Sequence, residues 1–318
     1  MFDMPLTKAL PFYPGQWGIQ DSDGILGLRS ESRGVVFYCD PANGTGVAND
    51  NNAGTDPLYP KLTVQSAIDA CVDGRGDVIK RAPGNDNTLT APILMNKEGV
   101  TLMAATYGAA PTQGAEAGFA TWPGAGYATG PMVIVSEPCA IIGMEFVTRN
   151  VNSGFNDDGT DSGAALVFIG NAGGEAGGFS LIQNCRFVDW WGNDWGIEFA
   201  AGAYNLIRDC TFEGFAAGCY FRGTALRNPE SNRLDDNWFK DCVNGIEHRL
   251  GSAPHNFLYY RNKFIDISGD SIDSNGGLGD GMIAGNFYET ATDAATYDLT
   301  VANLAIAGIH CAGNNYQE

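Results

Sequence analysis

A parallel β-helix is the fold class this sequence predicts, and three observations predict it. First, one short phrase recurs between Ile182 and Phe264. It reads Ile182-Gln183-Asn184-Cys185-Arg186-Phe187, then Ile207-Arg208-Asp209-Cys210-Thr211-Phe212. It returns as Leu234-Asp235-Asp236-Asn237-Trp238-Phe239 and as Tyr259-Tyr260-Arg261-Asn262-Lys263-Phe264. Weaker copies run from Ile141 to Phe146, Met282 to Phe287 and Cys311 to Tyr316. The closing aromatics at 187, 212, 239, 264, 287 and 316 are spaced 25, 27, 25, 23 and 29 apart. A period in this range marks a solenoid, whose units each bury a face on their neighbours. Second, the apolar residue and the aromatic in each phrase differ in parity, so one straight strand cannot point both inward. The chain must turn between them. Third, the position two before the aromatic holds Met144, Cys185, Cys210, Asn237, Asn262, Gly285 and Asn314. Asn and Gly tolerate the left-handed backbone of a tight corner, a stacked Asn can bond the next rung's backbone, and small Cys fits as a buried apolar group.

At 318 residues with repeat architecture, the chain reads as an N-terminal arm over 1–33 and one elongated solenoid over 34–318. Glycine is abundant at 43, and charged residues make up only 17%, as many corners and stacked neutral strands require. A net charge of −19 argues against a nucleic-acid partner. No apolar run approaches the ~20 residues of a membrane span. The start, Met1-Phe2-Asp3-Met4-Pro5-Leu6-Thr7-Lys8, lacks the layout of a secretory signal, which predicts synthesis in a cytoplasm. Cys185 and Cys210 hold equivalent corner positions and Cys219 stands where other rungs carry Ile, so the eight cysteines read as reduced, buried thiols.

Taken in order, residues 1–33 carry Pro, Gly and scattered aromatics without strand or helix period. Phe2, Phe12, Tyr13 and Trp17 mark them as an attachment arm for another subunit, or as a loop packed on the solenoid. Val35-Val36-Phe37-Tyr38-Cys39 reads as a strand, followed by a long loop. From Thr63, Val64, Ala67, Ile68 and Cys71 follow an i, i+3, i+4, i+7 stripe behind a Thr63 N-cap. This short amphipathic helix can cover the open end of the solenoid. Gly76-Asp77-Val78-Ile79 opens the next strand, Ala82-Pro83-Gly84 turns, and Val100-Thr101-Leu102 returns. The Gly/Ala/Pro-rich stretch 105–131 and the acidic stretch 148–163 read as excursions from the solenoid, of a length that usually carries function or contacts a neighbouring chain.

The opening carries a family resemblance. Phe37-Tyr38-Cys39-Asp40-Pro41, Asn52-Ala53-Gly54-Thr55-Asp56-Pro57, Ala67-Ile68-Asp69, Gly76-Asp77-Val78-Ile79 and Ala82-Pro83-Gly84 resemble the start of right-handed, pectate-lyase-like β-helix proteins. The resemblance covers residues 34–104 and departs at Cys39, where a β-branched residue is usual. It implies a single-stranded right-handed parallel β-helix with a short N-terminal capping helix. It implies no one activity, since that family mixes polysaccharide enzymes, adhesins and phage virion proteins.

Candidate chemistry lies on the strand after each corner. With Ile197, Cys219, Ile246 and Ile272 inward, Glu198, Tyr220, Glu247 and Asp273 fall on the outer face, with Ala200, Arg222, Arg249 and Asn275 two positions on. Glu198 and Glu247, two rungs apart, would stand about 9–10 Å from each other. An inverting glycosidase places its acid and base about 6.5–9.5 Å apart. Trp190, Trp191 and Trp195, with Tyr220, could stack on a sugar ring; alternating Glu and Arg could equally form a weak surface ladder. Arg222 and Arg227 precede Pro229 without the spacing of the lyases, and the Asp-pair and His signatures of polygalacturonase-like hydrolases are absent. His248, His255 and His310 read as surface or loop residues. Two loops offer oxygen ligands for Ca²⁺: Asp40, Asp50 and Asp56 (with Asn43 and Asn52), and Asp157, Asp158 and Asp161.

The function expected from the sequence is therefore a non-catalytic phage virion surface protein, a trimeric capsid-decoration or tail-spike-like subunit. It would be anchored to other virion proteins by its arm and could meet a host surface glycan. The alternatives are a polysaccharide-degrading hydrolase or lyase using Glu198 and Glu247, and a glycan-binding adhesin.

Overall fold

The computed structural model describes residues 34–41, 43, 46–82, 91–105, 117–121, 131–148, 165–170, 178–189, 195–200, 202–222, 230–248, 255–273, 281–289, 309–312 and 316–317. Their strands pair side by side into three parallel sheets of ten, eight and seven strands. One turn of the solenoid shows the plan. Leu181–Gln183 lies in the first sheet, Arg186–Asp189 in the second and Trp195–Phe199 in the third. The chain then returns to the first sheet at Leu206–Arg208, directly in register with Leu181–Gln183. This is a right-handed parallel β-helix, and residues 34–317 supply its described strands.

The register is held from inside. Phe146, Phe187, Phe212, Phe239, Phe264 and Tyr288 stack as one column, with ring centroids 4.8 to 5.2 Å apart and planes within 12° of parallel. Two rungs depart from the sequence reading. Tyr288, not Phe287, continues the column, because Phe264 pairs with Tyr288 and Lys263 with Phe287. In the last rung Phe287 pairs with Tyr316 and Tyr288 with Gln317. At 287 and 288 two aromatics stand side by side, and the backbone pairing decides between them.

The corner between the first and second sheets also differs by one residue. The left-handed backbone falls on Gly143, Asn184, Asp209, Asp236, Arg261 and Gly285, with φ between 52° and 66°. The residue after it points inward and builds a ladder. The Cys210 N–H donates to the Asn237 side-chain carbonyl (3.0 Å), the Asn237 N–H to that of Asn262 (3.1 Å), and the Asn262 N–H to that of Asn286 (2.8 Å). Asn237 and Asn262 each donate their amide back, to the carbonyls of Ile207 and Leu234. Gly285 is thus the corner residue and Asn286 the ladder residue. Where Cys stands in the ladder, its thiol replaces the amide, donating from Cys210 to the Arg208 carbonyl (3.2 Å). A second ladder, unanticipated in the sequence, runs through Ser180, Asn205 and Asn232 at the entry to the first sheet. It follows left-handed residues at Phe179, Tyr204 and Ser231. The buried N–H groups of both ladders therefore find their acceptors one rung away.

In the third sheet two successive residues face inward, a glycine and then an apolar residue. A Cβ on Gly196, Gly218 or Gly245 would lie 2.6, 2.4 or 2.5 Å from a ring carbon of Phe212, Phe239 or Phe264. Glycine is the residue that lets the next turn's Phe fill the core. Further along this sheet Phe199, Phe221 and His248 form an inward column, with centroids 4.4 and 4.7 Å apart. His248 is fully buried, contrary to its reading as a surface residue, and its Nε2 meets the Tyr259 hydroxyl at 2.9 Å. Tyr259 occupies the place held by Ile182, Ile207 and Leu234 in other rungs, so its hydroxyl meets the imidazole Nε2 inside the core, while His248 Nδ1 stays buried without a hydrogen bond.

The N-terminal end is closed as the sequence reading requires. The helix Val64–Ala70 begins at an N-cap Thr63, whose hydroxyl accepts from the Ser66 N–H (3.1 Å), and buries Val64, Ala67 and Ile68. The loop before it folds along the first strand, Val36–Cys39. Tyr38 N–H donates to the Gly54 carbonyl (2.7 Å) and Asp40 N–H to the Lys61 carbonyl (2.9 Å). A bare strand edge is thereby blocked. Seven described cysteines are buried thiols outside any disulfide. Burial pushes the Cys139 and Cys242 thiols up to about 12, which keeps them unreactive.

This core can be tested at two points. Gly218→Ala should destabilise the protein by about 1–3 kcal/mol through overpacking against Phe239, read as a lower urea midpoint at unchanged slope. A midpoint equal to wild type would show that the ring has room to move. Burial lowers the His248 pKa to about 3, against about 6.5 in an unfolded chain. The unfolded state then binds the proton that the folded state refuses. Stability is full above pH of about 6.5 and falls as pH drops towards 3, by up to about 1.4 kcal/mol per unit. The double variant His248→Phe/Tyr259→Phe removes both polar groups in matching shapes, so it should flatten the unfolding free energy between pH of about 6.5 and about 4. An unchanged slope would assign the acid sensitivity to other groups.

Candidate functional site

The outer side of the third sheet gathers the polar groups singled out in the sequence. Its strands pair so that Phe168, Glu198, Tyr220, Glu247 and Asp273 form one column. The alignment deduced from Ile197, Cys219, Ile246 and Ile272 therefore holds. The column is less open than an outer face suggests: Glu198 is completely buried, and Tyr220 and Asp273 are buried as well. A carboxylate there must be matched by partners.

Those partners are visible. Arg222 extends from the end of its strand and places Nη1 3.2 Å from Glu198 Oε1. Asn244 donates its amide to Glu247 Oε2 (3.0 Å) and accepts the Asp270 N–H on its side-chain oxygen (3.0 Å). Between the two glutamates stands Tyr220, whose ring stacks on Trp195 with centroids 3.8 Å apart. Trp195 is half-buried and pairs in register with Ala217. The doubled inward step at Gly196-Ile197 is what brings Trp195 and Glu198 to the same outer side.

The structure thus brings together Trp195, Glu198, Tyr220, Arg222 and Glu247. Trp190, Trp191 and Arg249 lie outside the described residues, as do the arm residues Phe2, Phe12, Tyr13 and Trp17. Glu198 and Glu247 are two rungs apart, about 9–10 Å by strand spacing, with the Tyr220 ring on the rung between them. Chemically the strip offers the half-buried Trp195 ring, the Arg222 guanidinium and the Asn244–Glu247 pair, while Glu198 and Tyr220 are buried. That set suits hydroxyl-rich ligands, which stack by their C–H faces and bond by their edges. Arg222 is engaged by Glu198, so its guanidinium orients a carboxylate.

In the N-terminal loop read from the sequence as a Ca²⁺ site, the Asp50 and Asp56 carboxylates bond the chain's own backbone. Asp50 Oδ1 accepts the backbone N–H groups of Leu62 (3.0 Å) and Thr63 (2.8 Å) and also the Thr63 hydroxyl. Asp56 Oδ1 accepts the Leu58 N–H (2.8 Å) in an Asx turn. Asp40 is buried at the end of the first strand. Asp50 and Asp56 brace the loop that seals the sheet edge, and among the described residues no three His, Cys, Asp or Glu side chains converge on a metal position. Asp157, Asp158 and Asp161 lie outside the described residues.

One exposed feature escaped the sequence reading. Trp238 appears there only as part of the repeated phrase, yet it points outward from the second sheet and is 45% exposed. Its signal was its position, one before the inward Phe239, where other rungs carry Glu145, Arg186, Thr211 and Lys263.

No family model matches this chain, and no curated protein does. Solved structures do. The pectate lyase Pel9A is similar at a TM-score of 0.51 and 14% identity, over 80% of this chain and 69% of that one. A rhamnogalacturonan lyase matches at 0.48 and 13%, over 81% and 69% of the two chains. Pectate lyase C from Erwinia chrysanthemi matches at 0.46 and 12%, over 91% and 82%. At such identities it is the backbone that is shared, and the likeness to Pel9A establishes for this chain a pectate-lyase-like β-helix fold.

Proposed function

We propose that the protein binds a polysaccharide along the outer side of its third sheet. The observation that carries this reading is the Trp195–Tyr220 stack at 3.8 Å, flanked on one side by the Arg222–Glu198 pair and on the other by Asn244–Glu247. An aromatic platform between fixed hydrogen-bonding groups matches the amphipathic surface of a sugar chain. A nucleic-acid ligand is disfavoured by the net charge of −19. The fold shared with Pel9A, whose name gives pectate as what it acts on, adds support for a polysaccharide ligand. The arm on which the virion-subunit reading depends lies outside the described residues, and nothing in the described strands speaks for that reading.

Trp195→Ala tests the platform. Binding to a polysaccharide panel, followed by affinity electrophoresis, should weaken about tenfold for the glycan that wild type retains, with the melting temperature preserved. Equal retardation of both proteins would remove Trp195 from the site.

A second reading, that the chain also cleaves its glycan, is favoured by the two carboxylates of one outward column, Glu198 and Glu247. In it one carboxyl protonates the leaving oxygen and the other activates water. Glu247→Gln and Glu198→Gln should then each lower reducing-end release by about 10²–10⁴-fold. Release at the wild-type rate in both variants would leave binding without cleavage.

A further inference from the structure

We infer a second saccharide site, a slot on the outer side of the second sheet bounded by Arg186 and Trp238 and floored by Thr211. The three residues pair in register, Arg186 with Thr211 and Thr211 with Trp238. The walls therefore stand two rungs apart, about 9–10 Å, with the short, half-buried Thr211 side chain between them. That is room for one puckered sugar ring against the indole. Lys263, one rung beyond, places its ammonium over the Trp238 ring, 4.2 Å from the centroid. The cation occupies one face of the indole, and the saccharide would lie against the other.

The rim is preset. Arg186 donates to Glu145 (2.8 Å) and to Glu213 (3.2 Å), which spans the slot's edge. Lys240 stands 3.5 Å from the same Glu213 and 3.2 Å from Asp241. These pairs lie on an exposed face, so their worth to folding is small. Their effect is to hold cationic donors and a carboxylate acceptor around an aromatic plane, as hydroxyl recognition requires. Phe239 fills the core beside Trp238, which remains 45% exposed. Among the described residues its indole N–H makes no hydrogen bond, which leaves a donor for a ligand.

A saccharide fits this face better than a protein does. The neighbouring outward residues Val147 and Val188 are buried, so the apolar area on offer is little more than one indole, ringed by ionised groups. A stable protein interface needs about 1,000 Å² with an apolar centre. One indole matches one sugar ring.

The slot is independent of the third-sheet site, and single substitutions separate them. The full chain, Trp238→Ala, Trp238→Phe and Trp195→Ala would be titrated with chitohexaose, xylohexaose, maltohexaose and a heparin hexasaccharide, followed by calorimetry. For at least one probe, Trp238→Ala should weaken binding about tenfold, Trp238→Phe should restore most of it, and Trp195→Ala should leave that component in place. Preference for the heparin probe would assign the rim cations an ionic contact; preference for a neutral probe would assign recognition to stacking and hydroxyl bonds. Loss of binding in Trp195→Ala alone would overturn the slot and keep the third-sheet site. Binding of no probe through Trp238 would overturn it as well. So would a fall in the solution mass of Trp238→Ala by light scattering, which would give this face to a second copy of the chain.

Discussion

The in-register stacking of inward side chains is the constraint on which everything else rests. A parallel solenoid places equivalent residues of successive turns one strand spacing apart, so each inward position must be filled by something compatible with a copy of itself. Aromatic rings meet this condition by lying nearly parallel, as Phe187, Phe212, Phe239 and Phe264 do. Asparagine meets it because its amide donates to one neighbour while its carbonyl accepts from the next, so Asn237 and Asn262 satisfy corner N–H groups that a buried turn would otherwise leave unpaired. The glycines of the third sheet are a consequence: the Phe column has to pass beside Gly196, Gly218 and Gly245, and any side chain there would meet a ring.

What the core demands on one side of a strand it leaves free on the other. Outward positions need only tolerate their neighbours, and here the two candidate binding faces differ in character. On the third sheet the column containing Glu198 and Tyr220 is buried, and its charge is matched internally by Arg222. On the second sheet Arg186, Trp238 and Lys240 are open to solvent, and their ion pairs hold them in place at little energetic gain. A repeated backbone thus presents flat, evenly spaced rows of side chains. Such rows suit a ligand that itself repeats, and on that ground a polysaccharide is proposed for both faces.

The break in the core's chemistry is His248 with Tyr259. Phe199 and Phe221 precede His248 in its column, and the ring shape alone satisfies the stacking rule. Its Nε2 meets the Tyr259 hydroxyl from an adjacent sheet of the next turn, and its Nδ1 is buried without a hydrogen bond. Neither residue stands out in the sequence, where His248 looks like a surface residue and Tyr259 like one more variant of the repeat's first apolar position. The two are joined only because the solenoid closes.

Much of the fold was legible in the chain because repetition fixes it. The recurring phrase around Phe187, Phe212, Phe239 and Phe264 sets the period, and the inward alignment of Ile197, Cys219, Ile246 and Ile272 places Glu198, Tyr220 and Glu247 in one column before any coordinates are needed. The capping helix followed from the stripe Val64, Ala67, Ile68 and Cys71. Register at the worn end of the repeat was not legible. Phe287 and Tyr288 are both aromatic, and backbone pairing alone put Tyr288 in the core. Nor was the exact left-handed residue, since Asn184 and Cys185, or Gly285 and Asn286, are each acceptable at a corner until the ladder bonds choose. Burial of Glu198, use of Asp50 as a loop brace and exposure of Trp238 were decided by tertiary structure. They depend on which groups from distant turns come to lie alongside, and a period in one dimension carries no information about that.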